Sequence, residues 1–542
     1  MKHTHSNGNG NGNSNGNSEA AKSHAHPIPA NRLGTIAPRH AVAEPEMLNA
    51  EKLRIDPNWA LRIPATLALR RSMLPFALSE NKDKVVVACL DPTDRQGLEA
   101  LERYLGKPVL PRRAEPEALK RVLQRVYPDP TAPGIKPATA ADAARGPETD
   151  EDAIGLTDEV LRFAVLRQAS DIHIEPRRSG VRIRLRVDGQ LEELRRLPAS
   201  RQIGLVSRLK VLSGMDIAEK RASQDGAFAW TMGTGPNRPT VDIRVATVPV
   251  KYGERMTLRL LNLNTGALTL QKLGMSGNDL GVFAKAIRAP HGMILMNGPT
   301  GSGKTTTLYA AIREMDCDAL NIVTVEDPIE YEMEDISQVA VDSAEKVTFA
   351  KALRSVLRHD PDVVMVGEIR DLETADVAIK AGLTGHLVFS TLHTNSAPGA
   401  VTRLIDMGVP AYLVAATLRL SAAQRLVRRL CNSCRKVRLL TSAEAVALDR
   451  PEAAGIEVFD PGGCAYCANR GYSGRVGVYE IMAPDEELTD LIVTGASEAR
   501  IRVAARAKGM RTLRQDAADK VFIGVTSVAE VLENTDGLDI QK

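Results

Sequence analysis

The residues with the clearest chemical purpose are Gly298, Pro299, Thr300, Gly301, Ser302, Gly303, Lys304 and Thr305. Two glycines bracket four residues and Lys-Thr follows, which is the spacing of a phosphate-binding loop. Glycines let the backbone curl so that successive N–H groups point at one anion. The lysine reaches the outer phosphates, and the hydroxyl after it can ligate Mg²⁺. The flanks fit this reading. The apolar run Met293–Met296 comes before the loop, and Thr306 opens a helical stretch through Arg313. A chance glycine-rich turn has no reason to stand between a strand and a helix. The loop therefore points to ATP or GTP.

Hydrolysis needs more than a cradle. A carboxylate must orient or deprotonate water, and acids must hold Mg²⁺ or its waters. Two acidic clusters follow apolar strands. Asn321–Val325 runs into Glu326, Asp327, Pro328, Ile329 and Glu330, and Val363–Val366 runs through Gly367 into Glu368, Arg370 and Asp371. Ligands of open parallel sheets bind beyond the carboxyl ends of strands, so both clusters should face the edge that holds the loop. Glu326 and Glu368 are the candidate catalytic acids, with Asp327 and Glu330 beside them; spacing does not say which glutamate is the base. A third strand, Leu387–Phe389, is bracketed by His386 and His393. Either imidazole could sense a terminal phosphate, but at most one can stand at the ligand-facing end.

Cys431 and Cys434 form one Cys-x-x-Cys pair, and Cys464 and Cys467 a second, with 29 residues between the pairs. Two such pairs can supply four thiolates to a tetrahedral Zn²⁺. Closing the long loop between them costs little extra. Four thiolates on one Zn²⁺ leave a charge of about −2, which the flanking Arg428, Arg429, Arg435 and Lys436 could offset. Cys89 and Cys317 fall in apolar or helical stretches and are expected to be buried.

The elements that must position these groups follow from pattern. At ~150 residues per domain, a chain of 542 residues suggests about three or four domains. Residues 1–45 are rich in His, Asn, Gly and Ser and read as a disordered tail. Residues 46–128 read as a separate α/β domain, centred on the strand Lys84–Leu90 and a helix capped within Asp91-Pro-Thr-Asp94. Residues 129–150, rich in Pro, Ala and Asp, read as a linker. From 151 to 265 a helix precedes alternating strands. In Val181–Asp188 every second residue is apolar, so Arg182, Arg184, Arg186 and Asp188 should line the other face. Val241–Val248 and Met256–Leu261 read as a hairpin about Lys251 and Tyr252, which sets Arg244 directly opposite Arg259. From 270 to 425 strands alternate with helices, which argues a parallel sheet. The cysteine segment, 426–480, and a helical region, 481–542, follow.

Composition narrows the partners. The net charge is +3 and aromatics are 4% of residues, so an extended nucleic-acid surface is not expected, although an Arg-rich segment spans 425–438. No apolar run approaches the ~18 residues of a membrane span. The N-terminus carries no signal-peptide core. A cytosolic chain with reduced thiols is expected.

Four ordered motifs carry a resemblance: the phosphate loop, Thr324–Glu330, Asp360–Asp371 and Thr384–His393. They resemble the Walker A, Asp-box, Walker B and His-box series of the bacterial secretion ATPases, which drive type II secretion and type IV pilus assembly. Ser170–Pro176, Arg186–Gly189 and Asp216–Gly226 are similar to the domain preceding the motor in that family. The resemblance spans roughly residues 150–542. It implies a RecA-like motor behind a PAS-like α+β domain, assembled as a homo-hexamer. It also implies ATP, Mg²⁺ and Zn²⁺ as cofactors, with the tetracysteine module at the position found here. Arg244 and Arg259 match arginines that reach the γ-phosphate, within a chain or across a ring interface. The partners implied are an inner-membrane platform protein and docking proteins, with 46–128 as the docking domain and the membrane reached only through them. The location implied is the cytoplasmic side of a bacterial inner membrane. The single compact N-terminal domain favours type II secretion over pilus assembly.

Overall fold

A computed structural model describes residues 47–79, 81–127, 150–232, 240–261, 269–341 and 347–535. The tail expected over 1–45 and all but the last residue of the linker expected over 129–150 lie outside the described residues; Asp150 opens a helix.

Residues 47–127 build a three-stranded sheet in the order β1-β2-β3, from β1 Met73–Leu78, β2 Val85–Cys89 and β3 Val109–Arg113. β1 is antiparallel to β2, and β2 is parallel to β3. Helix Arg95–Leu105 begins where the Asp94 carboxylate accepts from the Gly97 N–H, and stops at Gly106. Such caps satisfy backbone groups that the helix itself leaves unpaired. Leu119, Val122, Leu123 and Val126 repeat at helical spacing on Pro116–Val126 and are all buried. This region is less separate than its composition suggests. Its core continues onto Leu166 and Met232 of the next domain.

The second sheet has six strands: β4 Ala169–Arg177, β5 Gly180–Val187, β6 Gln190–Leu197, β7 Gln224–Thr231, β8 Thr240–Val250 and β9 Gly253–Leu260. They lie in the order β6-β5-β4-β9-β8-β7, and every pairing is antiparallel. Helices Asp150–Leu166 and Ser200–Leu212 bury one face of the sheet around Ile172, Ile174, Ile183 and Leu258. Arg182, Arg184 and Arg186 occupy the other face, as the alternation requires. Asp188 does not join them. Its φ of 51° places it in the turn after β5, where Arg54 and Arg470 converge on it at 3.1 and 3.7 Å. Arg470 also meets Glu192 at 3.2 Å.

The third sheet has seven strands: β10 Gly292–Asn297, β11 Ile322–Glu326, β12 Ser337–Ala340, β13 Val363–Val366, β14 Leu387–Leu392, β15 Leu418–Leu430 and, beyond the two-stranded ribbon of β16 Lys436–Leu439 and β17 Glu457–Asp460, β18 Tyr472–Met482. The order is β12-β11-β13-β14-β10-β15-β18, parallel throughout except for β15 against β18. β10, β11, β13 and β14 are buried along their whole length, because helices cover both faces. The sheet therefore runs past the boundary expected at 425. β15 extends to Leu430 and pairs with β18 from the far side of the cysteine segment. That segment is an excursion from a hairpin and not a module appended to a finished core. The helices after β18 belong to the same core, with Leu488, Ile492, Val521, Val528 and Val531 buried against it. No helix among the described residues is long and apolar enough to cross a membrane.

Candidate nucleotide site and cysteine centre

β10 ends at Asn297 and the chain turns at once into the phosphate loop. Gly298 sits at φ 145° and Gly303 at φ 89°. A Cβ on Gly298 would lie 2.5 Å from the Gln424 carbonyl oxygen, and one on Gly303 would lie 2.8 Å from Gln424 Nε2. Both positions need glycine for their backbone angle and for the close approach of β15. Helix Lys304–Arg313 starts inside the motif, so its free N–H groups and positive end face the loop. Lys304 Nζ donates to the carbonyls of Gly298 and Pro299 at 2.8 and 3.1 Å. Lys304 is 8% exposed, and burial pulls its pKa down to about 8; Arg425 acts in the same direction and Glu368 against it. Thr305 stands at the start of the helix, half-buried. Thr306 is turned toward the Tyr331 hydroxyl.

The two candidate acids have different surroundings. Glu326 is 3% exposed. Its carboxylate accepts from Tyr309 Oη, from Thr324 Oγ1 at 2.6 Å and from Gln338 Nε2 at 3.2 Å. Three donors fix its orientation, and burial with this contact pushes the Tyr309 hydroxyl well above its ordinary range. Glu368 is less enclosed. It pairs with Arg370, lies 3.4 Å from His393 Nε2, and is an electrostatic neighbour of Lys304. Asp327 is exposed and Glu330 half-buried in the turn after β11.

The two histidines separate as the bracketing allows. His393 follows the end of β14 and meets Glu368. His386 precedes the same strand, close to Ala381 O at 3.1 Å, with its own carbonyl accepting from the Gly292 N–H at the start of β10. His386 therefore stands at the opposite edge of the sheet, and this chain does not bring it to its own phosphate loop.

Arg244 and Arg259 are directly opposite, as the hairpin reading requires. The register continues across the sheet in one row, Arg186–Asp171–Arg259–Arg244. Like charges facing across a ladder are unfavourable. Within the row the relief comes from Asp171, which is buried and holds Arg259 Nε at 3.2 Å and Arg186 Nε at 3.8 Å. Arg244 Nη2 donates to Ile329 O at 2.9 Å. One arginine thus touches the acidic turn of its own motor, while the Arg259 side chain is 57% exposed.

Sequence reasoning missed Tyr309 and Gln338, which hold Glu326, and Gln424, which braces the loop and accepts from Thr307 Oγ1 at 2.9 Å. Tyr309 lies five residues after Lys304, on the helix that follows the loop. Gln424 had no local signal, because it sits on a strand that pairs with β10 only in the folded chain.

Cys431, Cys434, Cys464 and Cys467 converge so that all four sulfurs lie within 4.8 Å of one another. Separations of 3.7 Å (Cys431–Cys464), 3.7 Å (Cys434–Cys467) and 3.8 Å (Cys464–Cys467) recur. A tetrahedral Zn²⁺ with bonds of about 2.3 Å sets its sulfurs about 3.8 Å apart, so the donor set fits that ion. The Cys464 thiol and backbone N–H donors pull the Cys467 thiol down, whereas burial pushes Cys434 up. Four thiolates this close repel one another unless a cation lies among them. Of the four flanking cations, Arg428 and Arg435 are turned to other partners, as is Arg438 further along. Arg428 pairs with Glu530 and lies over Tyr472, Arg435 lies over Phe459 and donates to Gly524 O, and Arg438 pairs with Glu444 and Asp460. Arg428 and Arg435 fasten the segment to the helical region behind it, and Arg438 ties the segment together internally. Cys89 is buried as expected. Cys317 is only half-buried, because it falls in the turn beyond the helix and not within it.

A glycine-built phosphate loop at the end of a central parallel strand, with acids at the same ends of β11 and β13 in the same sheet, defines a phosphate-loop ATPase. Residues 148–533 match the family described as type II/IV secretion system protein, and residues 44–133 match the MshEN domain. The chain belongs to the type II/IV secretion system protein family and is an ATP-hydrolysing enzyme. It is 42% identical over 492 residues to a type II secretion system protein E of Pseudomonas aeruginosa, covering 88% of this chain and 96% of that one. It is 37% identical over 505 residues to the type IV pilus assembly ATPase PilB of Myxococcus xanthus, covering 90% of this chain and 88% of that one. The X-ray structure of the ATPase DotB of Yersinia pseudotuberculosis superposes with a TM-score of 0.53 at 24% identity, over 72% of this chain and 95% of that one, a likeness of fold.

Proposed function

We propose that this chain is the cytoplasmic motor that hydrolyses ATP to power type II protein secretion by driving assembly of the pseudopilus. One observation carries the chemistry. The loop after β10, the end of β13 and the end of β14 bring Lys304, Glu368 and His393 to a single sheet edge. The loop N–H groups and Lys304 hold the phosphates, and the Thr305 hydroxyl, with Asp327 and Glu330 nearby, suits Mg²⁺ and its waters. Mg²⁺ when bound would neutralise phosphate charge. Glu368 or Glu326 orients the attacking water, and Arg244 and Arg259 meet charge on the terminal phosphate. The seven-stranded motor is RecA-like, the six-stranded domain PAS-like, and the working form a homo-hexamer.

Pilus assembly is the second reading, supported by the relative from Myxococcus. Isolating the chain with its membrane partner and identifying that partner by mass spectrometry separates the two. A secretion platform protein supports the proposal, and a pilus platform protein replaces it with the second reading.

Residues 46–128 are proposed to dock on a cytoplasmic segment of an inner-membrane protein. Deleting residues 1–128 should release the chain from membranes while nucleotide binding persists. Leu166 and Met232 would lose their cover in that variant, so both are changed to Ser in it. Unchanged membrane association would refute docking by this region.

The cysteine centre is proposed to hold structural Zn²⁺, which would supply folding free energy to residues 426–480. Replacing Cys431 and Cys434 by Ser should release about one metal ion per chain and open that segment to proteolysis. Metal analysis that finds no zinc in carefully purified wild type ends this reading.

A further inference from the structure

A further guanidinium lies beside the phosphate loop and belongs to none of the motifs. Arg425 stands on β15, two residues beyond Ala423, which pairs with Asn297 at the end of β10. Gln424 between them braces the loop. Strand alternation turns Gln424 toward the helix that carries Thr307 and turns Arg425 to the other side of the sheet. There Arg425 Nη2 donates to Asn395 Oδ1 at 2.9 Å, in the tail of β14. Its Nη1 is buried without a hydrogen-bond partner. Burying a charged donor unpaired is costly, so such a group calls for an acceptor.

The charge of Arg425 is felt at Lys304, together with that of Glu368. The tail of β14 reaches both groups, since His393 meets Glu368 and Asn395, two residues on, holds Arg425. Arg425 therefore stands with the groups at the strand ends and not at the helix N-terminus that cradles the inner phosphates. We propose that Arg425 contacts the terminal phosphate of the bound nucleoside triphosphate, with Asn395 as its positioning residue. A planar fork suits this place, because one arm can stay on Asn395 while the other takes a phosphate oxygen. The inference rests on the phosphate loop being the nucleotide site.

The test measures binding of a fluorescent ADP and of a non-hydrolysable ATP analogue to the full-length chain. Arg425→Ala should weaken the triphosphate about tenfold more than the diphosphate. Arg425→Lys should recover part of that preference. Asn395 is exposed, so Asn395→Ala should fold normally, shift the preference the same way by less, and carry the test alone if Arg425→Ala misfolds. Lys304→Ala, run in parallel, should weaken both nucleotides; if it does not, the failure lies with the loop reading. Equal weakening of both nucleotides by Arg425→Ala, or no change, with an unaltered thermal midpoint overturns the proposal.

Discussion

Glu368→Gln is expected to keep ATP binding and to lower turnover by about 10²-fold or more, the scale of a lost general base. The substitution preserves size and one oxygen acceptor, so the loop, Lys304 and the strand geometry survive. It removes the negative charge that faces Lys304 and His393. Lys304→Ala should behave differently. It deletes the buried cation and should abolish both tight binding and hydrolysis. Phosphate release and equilibrium nucleotide binding distinguish the two variants. Normal turnover by Glu368→Gln would remove Glu368 from the chemistry and leave Glu326, whose three hydrogen-bond donors already hold it in one orientation.

Arg244→Ala and Arg259→Ala are each expected to cut hydrolysis sharply, on the order of 10³-fold where an arginine meets transferring phosphate, while binding at the loop persists. The row Arg186–Asp171–Arg259–Arg244 sets three guanidinium groups against one carboxylate, so the face holds positive charge in excess. Arg244 already touches the turn between Glu326 and Glu330. Arg259 is exposed and must exchange Asp171 for phosphate. Single-turnover kinetics with nucleotide pre-bound report the loss directly. Near-normal rates in both variants would show that this face never meets the γ-phosphate.

The phosphate loop, β11, β13 and β14 were legible because buried parallel strands read as short apolar runs and the groups of interest follow them immediately. The hairpin register of Arg244 and Arg259 was legible because two alternating runs flank one turn. β6 was not, since Gln190–Leu197 leaves every one of its residues partly or fully exposed and shows no clean alternation. The bracing of the loop by Gln424 was hidden for another reason. β15 earns its place through β10, far back in the chain, and through β18, beyond residues 431–471. Pairing over such separations leaves no periodic trace in either strand. The same cause misplaced the end of the motor at 425. Asp188 looked like one more outward residue of β5, and only the backbone reversal shows otherwise.

The Asp188 turn has a consequence for how the molecule comes apart. Arg54 arrives from the first fifty-odd residues, Arg470 from three residues past Cys467, and both draw on one carboxylate in the six-stranded domain. Arg54 Nε and Arg470 Nε and Nη2 are buried there without other partners. Withdrawing Asp188 strands Arg54 and leaves Arg470 without its carboxylates, while withdrawing either arginine leaves Asp188 with one partner fewer. Opening at this corner is therefore expected to be shared and not local, and hydrogen exchange should find the three regions exposed together. Arg470, three residues past Cys467, thereby links the cysteine centre to the amino-terminal sheet, and replacing the cysteines should be felt as loosening on the far side of the turn.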